Sequence, residues 1–188
     1  MKTKVSVVMS VYNEPKSWIK KCVESILSQT HTNLEFIIVN DGSSKIETNN
    51  ELNMLASKDD RIRLFNNKNN GLTKSLNFAV SKADSEIIFR QDADDWSSRL
   101  RIQKQLEILE SNSDLILLGT DTVISNKKGK PLIIKKLPKD HDLILDTFPN
   151  GNPFCHGSVC FKKDKFDYIN GYDTEMKYSQ DYDLFWRL

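Results

Sequence analysis

The sequence has few cysteines, no long hydrophobic run and no excess of either charge. Its three cysteines (Cys22, Cys155 and Cys160) are odd in number and lack a C-x-x-C spacing, which argues against a disulfide scaffold or a zinc site. No apolar stretch approaches the roughly 20 residues that a membrane-spanning helix needs. The net charge is only +1, from 27 basic and 26 acidic residues, so nothing in the composition predicts a nucleic-acid partner.

The chain is long enough for one domain with a substantial core. It has 188 residues, of which 38% are hydrophobic and 28% charged, a composition typical of globular proteins. The N-terminal residues lead directly into an apolar strand, without the hydrophobic region and cleavage site of a signal peptide. Together with the unpaired cysteines, this predicts a cytoplasmic protein.

Strand-like and helix-like segments alternate four times between residues 5 and 110. Short apolar runs at residues 5–9, 34–39, 62–65 and 86–91 predict buried strands, and each is followed by a segment with helical periodicity. This order is typical of a mainly parallel α/β sheet with helices on both faces. Such sheets bind ligands beyond the carboxyl ends of their strands, where polar loops follow here. No G-x-G-x-x-G follows the first strand, which argues against a dinucleotide oxidoreductase.

The second half of the chain is less regular. Residues 115–118 and 159–161 predict two further strands, and residues 122–125 and 132–135 predict a hairpin. The chain stops at Leu188 inside a predicted amphipathic helix, and we therefore expect a C-terminal truncation.

An acidic cluster follows the fourth predicted strand. Asp92 and Asp94 are two residues apart, so at a strand end their side chains point the same way, and Asp95 is next to them. Such carboxylates suit a hard divalent cation that also binds substrate phosphates. The alternative is a solvated turn, where aspartate is common.

Three further side chains have both a functional and a structural interpretation. Asp41, at the end of the second strand, is either part of a turn or an acceptor for a nucleobase or ribose. Asp181 either complements the dipole of the last helix or acts as a general base. His156 is either a structural histidine or a ligand of a metal or phosphate. A metal, phosphates and a base together suggest group transfer from a nucleotide-activated donor.

Five blocks of this sequence, in order, resemble the family 2 glycosyltransferases of the GT-A fold. They are residues 6–14, 37–44, 70–77, 92–95 with Arg101 and Gln105, and 171–173 followed by 180–184. The resemblance runs from Val5 to the last residue. It implies a nucleotide-sugar-binding half at about residues 1–112 and an acceptor-side half at about residues 113–188, within a single domain.

The resemblance also implies roles for individual residues. The residues that it places at the nucleotide are Val11, Tyr12, Glu14, Asp41, Gly71, Lys74, Gln91, Asp92 and Ala93. Asp92, Asp94 and His156 are the expected ligands of Mg²⁺ or Mn²⁺, and Asp181 is the expected catalytic base. The implied reaction transfers a sugar from a UDP-sugar to a hydroxyl of a glycan or lipid-linked acceptor, with inversion at the anomeric carbon.

The sequence departs from the family pattern at several positions. Gln180 precedes the predicted base where a glutamate is usual, and Leu76 stands where an arginine is common, which shifts the expected phosphate contact to Lys74 or Arg90. Most members continue beyond the last helix, where the missing residues often complete the acceptor site or contact the inner face of the cell membrane.

Two alternatives from other classes remain open. A non-catalytic nucleotide-sugar-binding domain would share the donor motifs. A magnesium-dependent phosphotransferase also uses Asp-x-Asp after a strand, but it expects threonine or valine where Trp96 stands.

Overall fold

Hydrophobic runs without polar interruption form the centre of the sheet. The computed structural model describes residues 3–126 and 129–188. Every residue of β1 (Val5–Val11) and of β2 (Leu34–Asp41) is buried, as expected for strands covered on both faces. The remaining strands are β3 Ile62–Asn67, β4 Ile87–Arg90, β5 Leu117–Leu118, β6 Thr122–Ser125, β7 Pro131–Lys135 and β8 Cys160–Lys162.

The six-stranded central sheet has the order β3-β2-β1-β4-β8-β5. Strands β1 to β4 are parallel, with Val8 opposite Ile37 on one side and Arg90 on the other, whereas β8 runs antiparallel to β4. This confirms the predicted mixed α/β fold with a mainly parallel sheet. The predicted hairpin is also confirmed, as β6 and β7 form a separate two-stranded sheet. Lys127 and Lys128, which lie between the two strands in the sequence, are outside the described residues.

Helices cover both faces of the central sheet. They are α1 Lys16–Leu27, α2 Ile46–Ala56, α3 Leu72–Ser81, α4 Arg101–Ser111, α5 His141–Thr147, α6 Lys163–Tyr168 and α7 Gln180–Arg187. Side chains of β1 alternate between two hydrophobic clusters: Val7 packs with Ile19 and Ile102 on one face, and Val8 packs with Leu76 and Leu184 on the other. Within the described residues, no helix is both long and apolar enough to cross a bilayer.

Both halves of the chain contribute to one sheet, because β8 from the second half pairs with β4 from the first. The single domain and its division near residue 112 stay predictions. Sequence periodicity did not predict the short helices α5 and α6, nor the 3₁₀ turns Phe148–Asn150 and His156–Ser158.

Candidate active site

The loops after β1, β2 and β4 meet at one edge of the sheet because parallel strands end on the same side. Asn13 connects the first two of these loops: its side-chain oxygen accepts hydrogen bonds from the backbone N–H groups of Ser44 (2.9 Å) and Lys45 (3.0 Å). Asn13 has a left-handed backbone, with φ of 65°. No local sequence pattern indicated this role of Asn13.

Glu14 lies at the same edge and close to the acidic cluster. Its Oε2 accepts a hydrogen bond of 2.6 Å from the backbone N–H of Tyr12, whose side chain is 50% exposed. Burial raises the pKa of Glu14; backbone hydrogen bonds oppose this, and the charges of Asp94 and Asp92 add to it. The loop after β1 and the acidic loop after β4 therefore face one another.

Asp41 is buried and connects two loops. Its Oδ1 accepts a hydrogen bond from the backbone N–H of Asn70 (2.8 Å), and its Oδ2 accepts one from Gly71 (3.0 Å). Gly71 precedes α3 with φ of +88°, a conformation that glycine adopts without strain. The carboxylate thus holds the start of α3. Its predicted role at a nucleobase stays a prediction, since each carboxylate oxygen can accept a second hydrogen bond.

Asp92 is fixed by a buried arginine. Arg90 Nη2 lies 2.5 Å from Asp92 Oδ1, and the Arg90 side chain is 1% exposed. Burial would raise the pKa of Asp92, but the Arg90 charge lowers it, so Asp92 is ionised at neutral pH. The suggestion that Arg90 contacts a phosphate directly is wrong, because its guanidinium is buried and forms an ion pair with Asp92.

The second oxygen of Asp92 faces Gly157, in the loop before β8. A Cβ on Gly157 would lie 2.6 Å from Asp92 Oδ2 and 3.1 Å from Asp95 Oδ2, so a side chain there would displace the Asp92 carboxylate. Desolvation, together with the charges of Asp92 and Asp94, raises the pKa of Asp95 to about 6. Negative charge is therefore concentrated at this loop.

The carboxylates of the acidic cluster fit a divalent cation whose remaining ligands come from a bound substrate. The described residues contain no group of three histidine, cysteine or acidic side chains that could hold a metal alone. Asp94 is exposed and Asp92 keeps one oxygen free of Arg90. Mg²⁺ commonly binds in this way, through one or two carboxylates plus substrate phosphates.

His156 lies near the cluster but is engaged elsewhere. Its Nε2 is 2.7 Å from the hydroxyl of Tyr172, and its ring packs edge-on against Tyr172 and Phe185. Burial and the Arg90 charge lower the pKa of His156 to about 3, so the imidazole is neutral at neutral pH. Only Nδ1 is left for a metal, and the ligand role of His156 stays a prediction.

Asp181, in the first turn of α7, faces the loop before β8 that also contains Gly157. Its Oδ2 accepts a hydrogen bond of 2.8 Å from Asn152 Nδ2. Among the described residues, no hydrogen bond is made by its Oδ1. Asp183, two positions on, points away and forms an ion pair of 2.6 Å with Arg187.

Tyr172 lies near both Asp92 and Asp181. Burial raises the pKa of its hydroxyl; Arg90 opposes this, and the charges of Asp92 and Asp181 both add to it. The Asn77 side chain fixes the backbone on both sides of this residue, accepting from Tyr172 N and donating to Tyr172 O, each at 2.9 Å. Because Asn152 binds Asp181 and Gly157 on the same loop faces Asp92, the candidate metal ligand and the candidate base lie in the same part of the molecule.

The other predicted nucleotide residues differ in exposure. The side chains of Val11, Ala93 and Gln91 are buried, so only their backbone can reach a ligand. Gln91 Oε1 accepts hydrogen bonds from Ser97 and Arg101 behind the acidic loop. The Lys74 side chain is exposed in the first turn of α3, and its phosphate role stays a prediction.

Sequence reasoning missed several residues that shape the site. Gly157, Asn152 and Tyr172 were given no individual role, although Tyr172 lies in one of the blocks that resemble the family. A small residue beside a histidine is the only local signal for Gly157. A glycine is needed at position 157 because Asp92 approaches its backbone, and this contact joins distant parts of the chain.

Comparison with known proteins identifies relatives over nearly the whole chain. Residues 6–169 match the family model of Glycosyl transferase family 2. The O-antigen biosynthesis glycosyltransferase WbnJ of Escherichia coli is 34% identical over 184 residues, which is 98% of this chain and 71% of WbnJ. The amylovoran biosynthesis glycosyltransferase AmsE of Erwinia amylovora is 31% identical over 188 residues, or 97% and 68% of the two chains.

Two solved structures share the fold. S. aureus TarS 1-349 in complex with UDP-GlcNAc superposes with a TM-score of 0.77 at 15% identity, covering 98% of this chain and 53% of that one. The mannosyltransferase PcManGT from Pyrobaculum calidifontis, in complex with GDP-Man and Mn²⁺, has a TM-score of 0.72 at 18% identity, with 96% and 50% covered.

This chain spans about two thirds of the length of the two curated relatives and about half of the two solved structures. The family match includes the acidic cluster at residues 92–95 and ends before the helix that carries Asp181. This chain belongs to glycosyl transferase family 2 and has the GT-A fold.

Proposed function

We propose that this chain transfers a sugar from a UDP-sugar to a hydroxyl of a glycan or lipid-linked acceptor, in one displacement with inversion. The observation that carries this proposal is that Asp92 and Asp181 lie against the same loop: Asp181 Oδ2 accepts a hydrogen bond from Asn152, and Asp92 Oδ2 faces Gly157. One carboxylate serves the donor and the other serves the acceptor. The names of WbnJ and AmsE, in O-antigen and amylovoran biosynthesis, support a polysaccharide product.

The edge of the sheet supplies the donor contacts. The exposed ring of Tyr12 offers a π-face for the nucleobase. The Asp41 carboxylate keeps acceptor capacity for an N–H of the base beyond its two backbone bonds. In this proposal Lys74, which is exposed at the start of α3, contacts the diphosphate. UDP is favoured by the UDP-GlcNAc complex of TarS, whereas PcManGT holds GDP-Man, so the nucleotide is the first point to test.

Asp92 and Asp94 would hold Mg²⁺ or Mn²⁺ against the diphosphate. When bound, the cation neutralises the charge that develops on the leaving group. The protein's own contribution is orientation: Arg90 holds one oxygen of Asp92, and Gly157 leaves space at the other. Mn²⁺ in the PcManGT complex supports this assignment.

Asp181 acts as the general base. Asn152 holds its Oδ2, which leaves Oδ1 to take the proton from the acceptor hydroxyl as that oxygen attacks the anomeric carbon. The attack comes from the face opposite the leaving diphosphate, so a single displacement inverts the configuration, as in inverting glycosidases. Asp183 does not compete for this role, because Arg187 already pairs with it.

We place the reaction in the cytoplasm, at the inner face of the cell membrane, where a lipid-linked acceptor would be presented. The phosphotransferase alternative has no support in a family 2 chain whose Asp-x-Asp follows the fourth strand. A non-catalytic donor-binding domain differs from the enzyme only in turnover, which the experiment therefore measures.

The experiment is a thermal-shift screen of UDP-, GDP- and dTDP-sugars with Mn²⁺, followed by assay of nucleotide release with candidate acceptors. A bound ligand raises the unfolding midpoint by mass action. The proposal expects the largest rise with a UDP-sugar and acceptor-dependent release of UDP. Binding without release under any acceptor condition supports the non-catalytic domain, and no rise with any nucleotide sugar contradicts donor binding.

A further inference from the structure

The hairpin of β6 and β7 exposes a group of large aliphatic side chains. They are Val123, Ile124, Leu132, Ile133 and Ile134, and each is between 48% and 65% exposed. Among the described strands, β6 and β7 pair only with each other and do not join the central sheet. Five large aliphatic side chains exposed on one short hairpin indicate an interaction surface rather than isolated exposed residues.

The aliphatic side chains occupy both faces of the hairpin. Val123 lies opposite Ile134, and Ile124 lies opposite Ile133. Because side chains alternate along a strand, these two pairs project from opposite faces. A protein partner or a second domain packed on the hairpin would cover one face. A lipid surface into which the hairpin dips covers both.

The hairpin and the four residues that follow it are basic. Lys130, Lys135, Lys136 and Lys139 are exposed, and residues 122–139 contain no aspartate or glutamate, although the whole chain has a net charge of only +1. Aliphatic side chains combined with exposed lysines are the composition of interfacial membrane-binding elements. The positive charge complements the anionic headgroups of the cytoplasmic leaflet.

The hairpin is held in shape and placed beside the acidic loop. Asp121 Oδ1 accepts a hydrogen bond from Leu137 N (2.9 Å) at its base, and Asn126 Oδ1 accepts one from Lys130 N (3.0 Å) near its turn. A Cβ on Gly129 would lie 3.2 Å from Lys21 Nζ, which stacks on the ring of Trp96 directly after the acidic cluster. A membrane contact here would hold the candidate metal loop close to the bilayer.

We propose that the β6–β7 hairpin docks this chain on an anionic membrane surface. Its aliphatic side chains enter the boundary between headgroups and acyl chains, and its lysines contact lipid phosphates. The insertion is shallow, because the open edges of a two-stranded hairpin cannot satisfy their backbone groups in hydrocarbon. This proposal is independent of the catalytic one, since docking requires neither donor nor metal.

The test is co-sedimentation with vesicles of phosphatidylcholine alone or mixed with phosphatidylglycerol. We expect binding to the mixed vesicles that weakens with salt. Replacing the lysines (Lys135→Gln with Lys136→Gln) should weaken it about 30-fold, as about 1 kcal/mol per lysine implies. Ile133→Ser with Ile134→Ser, one from each face, should weaken it at least about 10-fold.

Matched controls come from other exposed positions. Ile46 on α2 is 75% exposed, more than any hairpin aliphatic, and Lys58 and Lys104 are exposed lysines. Ile46→Ser, and Lys58→Gln with Lys104→Gln, should leave vesicle binding unchanged. Because all of these side chains are exposed, the unfolding midpoint of each variant should match that of the parent.

Three results would overturn the proposal. One is equal binding to neutral and anionic vesicles, and another is equal loss in the hairpin and control variants. The third is a dimer in analytical ultracentrifugation, without vesicle binding, that Ile133→Ser with Ile134→Ser dissociates, because the hairpin would then bind a second copy of this chain.

Discussion

Arg90 and Asp92 form an ion pair of 2.5 Å at the end of β4, with the guanidinium 1% exposed and the carboxylate 31% exposed. The arginine keeps the carboxylate ionised and aims it at the edge of the sheet. Removing one partner of a buried pair leaves the other charge uncompensated, which costs more than the pair itself contributes. Asp92 therefore has a structural role that its neighbour Asp94, exposed on the same loop, does not share.

This difference predicts that two aspartate substitutions separate stability from binding. Asp92→Asn should lower the free energy of unfolding by about 3 kcal/mol, whereas Asp94→Asn should change it by less than about 0.5 kcal/mol. Both should weaken Mn²⁺-dependent UDP binding. Urea unfolding with a chelator measures the first quantity and calorimetry the second. Equal stability of the two variants would show that the Arg90 pair does not hold Asp92.

Asp41→Asn should lower both stability and nucleotide selectivity. The amide offers one oxygen where two backbone N–H groups now bind a carboxylate, so we expect a loss of about 1–3 kcal/mol in unfolding free energy. If Asp41 also recognises the base, UDP affinity should fall more than GDP affinity. If the variant loses affinity for both nucleotides equally, Asp41 has only a structural role and does not recognise the base.

Asp181→Asn should slow transfer by about 10²–10⁴-fold while UDP affinity stays within about twofold, because a general base acts only in the chemical step. Asp183→Asn is the matched control: it should cost about 1 kcal/mol of stability through loss of the Arg187 pair and keep transfer. The readouts are the transfer rate and the anomeric configuration of the product by NMR. Parental transfer by Asp181→Asn, or a retained configuration, contradicts the proposed mechanism.

Asp95 predicts a pH dependence of stability in the absence of metal. Its pKa of about 6 exceeds the 3.8 of an ordinary aspartate, so between these values the folded chain holds a proton that the unfolded chain releases. Stability should therefore fall as the pH rises from about 4 to about 6. The full effect would be about 3 kcal/mol. We expect about 1 kcal/mol, because the side chain is exposed and solvent screens its charge.

Asp95→Asn should remove this slope and raise stability at pH 7. The control is Asp60→Asn, at an exposed site far along the chain from the cluster. Thermal unfolding with a chelator across this pH range measures both. An unchanged slope in Asp95→Asn would mean that the cluster does not concentrate charge on this residue.

The sequence predicted the parallel sheet well because its strands are continuous apolar runs separated by amphipathic helices. It also predicted that Asp183 points away from Asp181, since two positions along a helix differ by about 200°. It could not predict that Arg90 is buried, because this depends on β8 returning beside β4 from more than 60 residues away. For the same reason, local sequence patterns could not predict the backbone partners of Asp41 or the contact of Gly157 with Asp92.

The most direct test of the account is a calorimetric titration of this chain with UDP, once with Mn²⁺ and once with a chelator. We predict saturable binding with Mn²⁺ that weakens at least about 10-fold when the metal is removed, since bridged phosphate contacts are worth more than 1.4 kcal/mol. Affinity that is unchanged by the chelator, or no binding under either condition, would contradict a metal-assisted nucleotide-sugar site at Asp92 and Asp94.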